Sequence, residues 1–584
     1  MLKRKDSQAI KVRTAFSHVE GLRTVLIFLF VVSGVINVLA LTGSFYMLQI
    51  YDRALASQSL PTLIALSLLA VTLYGFQGVL DISRSQILVR VGARVDEELA
   101  PVAHKVTIDM PRLGFSTTEA AERGRDVDVM RQFVSGQGLI ALMDLPWMPL
   151  YLIFVYLLHP LLGLLCLGGA VVLAALTVAT EFLTRKHAAS AQKAQILRMQ
   201  LSEMNARNAD VIRAMGFVGH AVARFAKANR DHLDLQKRTS DVTGTLSGLS
   251  KVLRMILQSA VLGLGAYLVI KAEMSAGAII AASVASARAL APVDMIIAQW
   301  KVITAARRSF NRLTDTLSVM EEAPARVTLP APSRSLSVER LTVAAPNSGA
   351  VVLSDVSFEV AAGHTVGIIG PSGGGKSTLA RALTGVWPQL RGSIRLDGAD
   401  ISQWSGDDLG RYVGYVPQDV ALLDATVGEN ISRLDPEADG GAILAAAQAA
   451  GVHDLIVRLP EGYETRLGSS GTALSAGQRQ RIALARALYG NPFLVILDEP
   501  NSNLDAEGEA ALARAVTGVR ERGGIAIVIA HRPSVLSAVD YVGVVQGGRL
   551  VAFGPRDEVL ASQTRQGSVV TKLKPMKTPA ASAG

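Results

Sequence analysis

The sequence predicts two fold classes in one chain: an α-helical membrane domain of six spans, then an α/β domain with a mainly parallel sheet. Three observations predict this. Six stretches, near 24–48, 60–82, 136–158, 161–183, 252–271 and 276–298, are apolar over the length that a bilayer core demands, about 20 residues for ~30 Å. After about residue 335, short β-branched runs such as Thr365–Ile369 and Leu494–Leu497 alternate with helical ones, the pattern of buried strands covered by helices. A Gly-rich loop lies between one of those strands and the helix that follows it.

The totals agree. Of 584 residues, 50% are hydrophobic and 18% charged, less charge than the roughly 25% of globular proteins, and mean hydropathy is +0.33. An all-soluble chain is excluded. The net charge of +9 comes from Lys and Arg placed between the apolar runs. It forms no dense patch with interleaved aromatics, so nucleic acid is excluded as a partner, and the charge reads as the loop bias that orients spans. The single cysteine, Cys166, sits inside an apolar run and reads as a small helix residue.

Segment 1–23 carries Lys3, Arg4, Lys5, Lys11 and Arg13. The apolar run after it is too long for a signal-peptide core and has no small-residue cleavage site, so it is expected to stay in the mature protein. The stretches after the second and fourth spans are rich in Arg and Lys. The opposite loops are short, with only Arg53 in 49–59, His-Pro at 159–160 and no basic residue in 272–275. By the positive-inside tendency, both termini are cytoplasmic. The membrane domain is placed at 24–320.

The two basic stretches read as helices that continue the spans into the cytoplasm. From 184 to 250, good helix formers dominate, broken at Gly216 and Gly219, which suggests two antiparallel helices of about 45 Å each. The stretch 84–135 breaks at Pro111 and Gly114. Each break is either a turn that docks on the second domain or a plain connector. In the sixth span, rich in Ala and Ser, Arg288 lies about midway and Pro292 can kink the helix. An ionisable residue there is a functional candidate, so Arg288 either lines a translocation path or pairs with another helix. Asp294 lies on a different helical face and is not its local partner. Asp144, Trp147 and His159 read as boundary anchors. Residues 321–337, with Pro324, Pro330 and Pro332, form a linker to an α/β domain at 338–562. The polar tail 563–584 has the composition of disorder.

The Gly-rich loop is Gly370, Pro371, Ser372, Gly373, Gly374, Gly375, Lys376, Ser377 and Thr378. Set between strand and helix, it is a phosphate-binding P-loop in its required context. Its glycines let backbone N–H groups converge on phosphate oxygens, and the helix N-terminus adds a favourable dipole. Lys376 is expected to reach the terminal phosphates and Ser377 to ligate Mg2+. A buried strand, Phe493–Leu497, ends in Asp498 and Glu499. Asp498 is suited to hold Mg2+ through water, and Glu499 to act as general base on the attacking water.

Shortly before that strand, Leu474-Ser475-Ala476-Gly477-Gln478 opens a helix. This resembles the signature motif of ATP-binding-cassette proteins. The resemblance implies that Ser475, Ala476, Gly477 and Gln478 of one subunit cap the γ-phosphate held by the P-loop of another. It further implies that Gln418 senses Mg2+ and the attacking water, that the stretch from Ser502 to Asp505 crosses the dimer interface, and that His531 contacts the γ-phosphate. With one P-loop and one signature per chain, it implies a homodimer with two competent sites, using ATP and Mg2+. These ATPases usually stack adenine on an aromatic about 25 residues before the loop. Here that place is near Ala345, with no aromatic between Phe310 and Phe358.

"GSFYMLQIYDRALASQSLPTLIAL" (43–66), "DLPWMPLYLIFVYLLHPLLG" (144–163) and the run 474–512 resemble the transporter of bacterial type I secretion systems, in the subfamily that exports proteases, lipases and surface-layer proteins. The resemblance covers about 20–560. It implies a six-span exporter domain fused to an α/β P-loop (ATP-binding cassette) domain, in the inner membrane of a Gram-negative bacterium. It implies an ATPase that exports unfolded polypeptides bearing an uncleaved C-terminal signal, with a periplasmic membrane-fusion adaptor and an outer-membrane channel as partners. The rival reading is a lipid or drug exporter of the same architecture. Some relatives carry a cysteine-peptidase domain before the first span. The short, cysteine-free 1–23 leads us to expect no leader cleavage by this chain.

Overall fold

The computed structural model describes residues 21–320, 329–346, 348–468, 474–530 and 536–562. The tail 563–584, linker residues 321–328, residues 1–20 and His531 lie outside the described residues. The chain divides into two compact units, Met1–Pro111 with Ser116–Glu322, and Arg112–Phe115 with Ala323–Gly584.

The first unit is all helix, and among the described residues six helical stretches are long and apolar enough to cross a membrane. The first is made of α1 (Leu22–Leu39) and α2 (Thr42–Gln49), ending in a π-helical turn over Ile50–Ala54. The second opens α3 (Leu60–Asp109), where Ser59 accepts from the Thr62 N–H to cap the helix. After α4 (Thr117–Val134), the third is α5 (Gln137–Asp144) and α6 (Met148–Leu158), joined by a 3-10 turn at Leu145–Trp147. Pro146 and Pro149 supply no N–H and break the helix there. The remaining spans open α7 (Pro160–Arg207), close α9 (Val218–Ile270) and open α10 (Ala276–Met320).

Both reversals between the long helices lie where the sequence places them. Gly114 takes φ +93°, and Ser116 with Glu119 forms a reciprocal cap that starts α4. The other reversal holds a six-residue helix, α8 (Ala209–Ala214), and turns at Gly216, φ +74°. Gly219 sits inside α9, so one glycine makes that turn and not two.

The spans differ in what they face. In the most apolar window of α3 only 6% of residues are buried, against 56% in α10, so that window of α3 lies on the outside of this unit and α10 is central. Ala278, Ala281, Ala282, Ala285 and Ala289 form the buried stripe of α10, small enough for neighbouring helices to approach closely. Asp52, in the π-helical turn, accepts from Ser275 Oγ (2.6 Å) and the Gly277 N–H (3.0 Å), an anion at the N-terminus of α10. Farther along α10, buried Asp126 of α4 accepts from Ser309 (2.8 Å) and Arg312 of α10.

Each of the three expected boundary anchors has a contact within this unit. Asp144 is interior, accepting from Arg84 (2.8 Å) and Asn37 (3.0 Å). Trp147 lies on Gly34, where an added Cβ would come within 2.5 Å of the indole. His159 stands in the turn between α6 and α7, accepting from the Leu161 N–H and lying 3.6 Å from Glu273. Asp294 pairs at 3.1 Å with Arg254 of α9, not with Arg288.

In the second unit, β1 (Ser335–Ala344) and β2 (Val351–Ala361) form a hairpin, and β3 (Thr365–Ile369) leads into α11 (Lys376–Leu383). Then follow β4 (Arg391–Leu396), β5 (Ala399–Asp400), α12 (Gly406–Tyr412) and β6 (Val413–Val416). Next come α13 (Val427–Ile431), α14 (Gly440–Ala449), α15 (His453–Val457) and α16 (Ala476–Leu488). The unit closes with β7 (Leu494–Asp498), α17 (Ala506–Glu521), β8 (Ile525–Ile529), β9 (Tyr541–Gln546) and β10 (Arg549–Pro555). One antiparallel sheet has the order β2-β1-β4-β5, and the second has β10-β9-β3-β8-β7-β6, parallel except for β10. Strands β7 and β8 are buried throughout and read as continuous apolar runs for that reason. Ile529 of β8 is in register with both Ile368 and Asp498. The Gly-rich loop after β3 and the acidic pair after β7 therefore emerge at one edge of the sheet.

Candidate active site

The loop after β3 is shaped by close approach. A Cβ on Gly370 would stand 2.0 Å from the Val545 carbonyl oxygen, so only glycine lets the loop leave β3 there. The loop ends at Gly375, the N-cap of α11 with φ +104°, so the N–H groups of the helix start open toward the loop. Lys376 is 5% exposed, and its Nζ donates to the carbonyls of Gly370 and Pro371, both at 2.9 Å. Burial pulls its ammonium below the usual lysine range, against the opposing pull of Glu499 and Asp498.

Ser377 donates through Oγ to Asp498 Oδ1 at 3.2 Å. Asp498 is completely buried, and its Oδ2 has no hydrogen-bond partner among the described residues. Burial pushes this carboxyl above the usual range, and the Ser377 bond opposes the shift. A buried carboxylate with a vacant oxygen beside a hydroxyl is a donor set that fits Mg2+, a hard cation that takes few protein oxygens.

Glu499 follows at the end of β7. Its N–H donates to the Ile529 carbonyl (3.0 Å), and its backbone takes φ +52°, a region that non-glycine residues occupy at a cost. That turn presents the carboxylate to Gln418, whose Nε2 donates to Glu499 Oε2 at 3.2 Å. Lys376, Ser377, Asp498, Glu499 and Gln418 are thus joined through contacts at one sheet edge.

The signature residues begin α16. Ser475 and Gln478 cap the helix reciprocally, and a Cβ on Gly477 would lie 2.7 Å from the Asn503 carbonyl oxygen. Among the described residues, no hydrogen bond joins 475–478 to the loop 370–378 of the same chain. Asp505 caps α17 through the Gly508 N–H (2.8 Å) and lies 3.6 Å from Arg481. Sequence reasoning missed Gln480. It is 3% exposed, donates to the Glu499 carbonyl (3.3 Å) and accepts from the Asn503 N–H (3.3 Å), so α16 is tied to the backbone that carries Glu499. A buried glutamine on a helix gives no local signal of that role.

At the adenine position the chain makes a tight turn, with the Ala345 N–H donating to the Ala350 carbonyl (2.8 Å). Beside it Val351, 56% exposed and in register with Ala344, offers an aliphatic surface. One base stack is worth about 1–3 kcal/mol, and here it has no ring to form on. GTP is therefore expected to be hydrolysed with a kcat/KM within about tenfold of that for ATP. Ala345→Tyr should lower the KM for ATP about fivefold or more. Phosphate release measured with both nucleotides checks this, and a strong ATP preference in the unaltered chain would refute it.

Residues 24–292 match the ABC transporter transmembrane region, and residues 353–502 match the ABC transporter ATPase family. A type I secretion system ATP-binding protein, PrsD of Rhizobium meliloti (strain 1021), is 50% identical over 92% of this chain and 92% of its own length. The chain belongs to the ABC transporters of type I secretion. It is a multi-pass membrane protein with a nucleotide-binding ATPase domain. The toxin RTX-I translocation ATP-binding protein of Actinobacillus pleuropneumoniae is 29% identical to this transporter over 92% of the chain and 77% of that protein. A solved structure of a bacterial Atm1-family ABC exporter with ATP bound has the same fold, with TM-score 0.80 and 23% identity. The match covers 95% of this transporter and all of that chain.

Proposed function

We propose that this chain is half of a homodimeric inner-membrane transporter that spends ATP to export unfolded polypeptides with an uncleaved C-terminal signal. Its partners are a periplasmic membrane-fusion adaptor and an outer-membrane channel, and both termini and the ATPase domain face the cytoplasm of a Gram-negative cell. The working parts are the spans and their extensions at 24–320 and the ATPase at 338–562. The observation that carries the reading is the hydrolytic cluster, Ser377 on Asp498 and Gln418 on Glu499, in a chain with six spans. Half-identity along nearly the whole length to a type I secretion protein supports the cargo class.

In this mechanism Gly370 to Thr378 and the Lys376 ammonium would hold the phosphates, and Ser377, Asp498 and Gln418 would hold Mg2+. When bound, the metal screens phosphate charge and favours attack at phosphorus. Glu499 takes a proton from the attacking water, and Gln418 and His531 orient the reacting groups. Ser475, Ala476, Gly477 and Gln478 donate to the γ-phosphate from the partner protomer. The reversals at 110–116 and 208–217 carry the motion of the ATPase to the spans. Deleting the gene is expected to abolish secretion of one or a few proteins, with restoration by the intact gene and co-purification of an adaptor. Unchanged secretion, with ATPase activity stimulated by lipid alone, would replace this reading with a lipid exporter.

A further inference from the structure

A cavity of about 400 Å³ lies inside the membrane unit, between the first, second, third and sixth spans. One wall is a fixed charge cluster. Arg84, 4% exposed, donates to Asp144 Oδ1 (2.8 Å), Ser33 Oγ (2.9 Å) and Asp81 Oδ1 (2.6 Å). Asp144 also accepts from Asn37, which Tyr151 holds in turn through its carbonyl (2.9 Å). These groups are committed to one another.

Arg288, on α10, lines the same cavity and is different. Its side chain is exposed there and, among the described residues, makes no hydrogen bond and no ion pair. Two carboxylates, Asp81 and Asp144, line it as well, yet Arg84 holds both of them. A guanidinium within a membrane span without a counter-charge is costly, and the cost is met when a ligand brings the anion. Pro292, also in the lining, has no N–H to donate to the Arg288 carbonyl four residues back. Gln77 and Gln137 line the cavity too, and neither carboxamide is hydrogen-bonded among the described residues. The cavity thus offers a guanidinium fork together with uncommitted amide donors and acceptors. An apolar drug or lipid tail would leave all of these unpaired. A peptide backbone pairs with the amides, and a carboxylate pairs bidentately with the fork.

The geometry points to a cargo subsite in this cavity where Arg288 receives a carboxylate of the translocating polypeptide, either an Asp or Glu side chain or the chain terminus. This rests on the polypeptide-export reading and adds an acid preference to it.

The test uses the full-length homodimer in nanodiscs and short Gly/Ser peptides carrying a neutral dye. One peptide has several Asp residues, and two others have Asn or Lys at the same positions, each with a free or amidated C-terminus. The Asp peptide is expected to bind about tenfold more tightly than the Asn or Lys peptide, the scale of one charge-assisted pair. That preference should fall as NaCl is raised. It should vanish in Arg288→Gln and persist in part in Arg288→Lys, which keeps the charge and loses the fork. If amidation of the Asn peptide weakens its binding, the terminus is a ligand; if it does not, side chains are. An Asp preference that survives Arg288→Gln, or a wild-type protein that prefers Lys, overturns the subsite. Equal binding of all three peptides, unchanged by amidation, also overturns it and leaves polypeptide export standing, whereas binding of none removes both. Should Arg288→Gln not fold, the salt dependence of the unaltered protein and the Arg288→Lys ratio decide.

Discussion

Glu499→Gln is expected to lower ATP turnover by about 10²–10⁴-fold, the usual contribution of a positioned general base, with nucleotide binding retained. The expectation comes from how tightly the residue is placed. Its N–H is bound to Ile529, and its carbonyl accepts from Gln480 and from the Ser502 N–H, both at 3.3 Å. Those bonds hold the backbone at φ +52°, and none of them involves the side chain. Glutamine has the same shape, so the backbone and the contact with Gln418 should survive while proton acceptance is lost. Phosphate release and fluorescent-nucleotide binding, measured on the same preparation, separate the two effects. Wild-type turnover in the variant would remove Glu499 from the base role. Loss of binding would mean that the substitution disturbed the loop 370–378 and not the chemistry alone.

Much of this site was legible because its parts are local. The strand, glycines, Lys376 and Ser377 are contiguous, and Asp498 and Glu499 directly follow a five-residue strand that is buried throughout. The spans were legible for a similar reason, since an apolar run of sufficient length has one physical meaning in a bilayer. An apolar run does not reveal what interrupts it. The joint at Ala40 and Leu41 and the π-helical turn at Ile50–Ala54 left no trace in composition. The partners of Asp144, Asn37 and Arg84, were not legible because they lie far away in sequence. Gln480 was invisible because its role depends on the close approach of α16 to the turn after β7. The missing adenine ring was visible as an absence, and the structure adds the tight Ala345–Ala350 turn that occupies its place.

Arg84→Leu is expected to destabilise the membrane unit by about 3–5 kcal/mol, the cost of leaving a buried charge without its partner. The side chain of Asp144 is only 16% exposed and loses its guanidinium. Asp81 loses the same partner at less cost, because its side chain is 56% exposed. Arg84→Leu combined with Asp144→Leu should recover much of the loss, since no buried charge is then left unpaired. The double-mutant cycle isolates the coupling of the pair. Thermal unfolding in nanodiscs checks each variant, and an unchanged Arg84→Leu midpoint would mean that water already satisfies Asp144. The same unfolding measurement separates the two arginines of the cavity. Arg84 is bonded on three sides, and its loss should appear first as instability. Arg288 has no such bonds, so its replacement should leave the unfolding midpoint nearly unmoved and change which peptides the transporter holds.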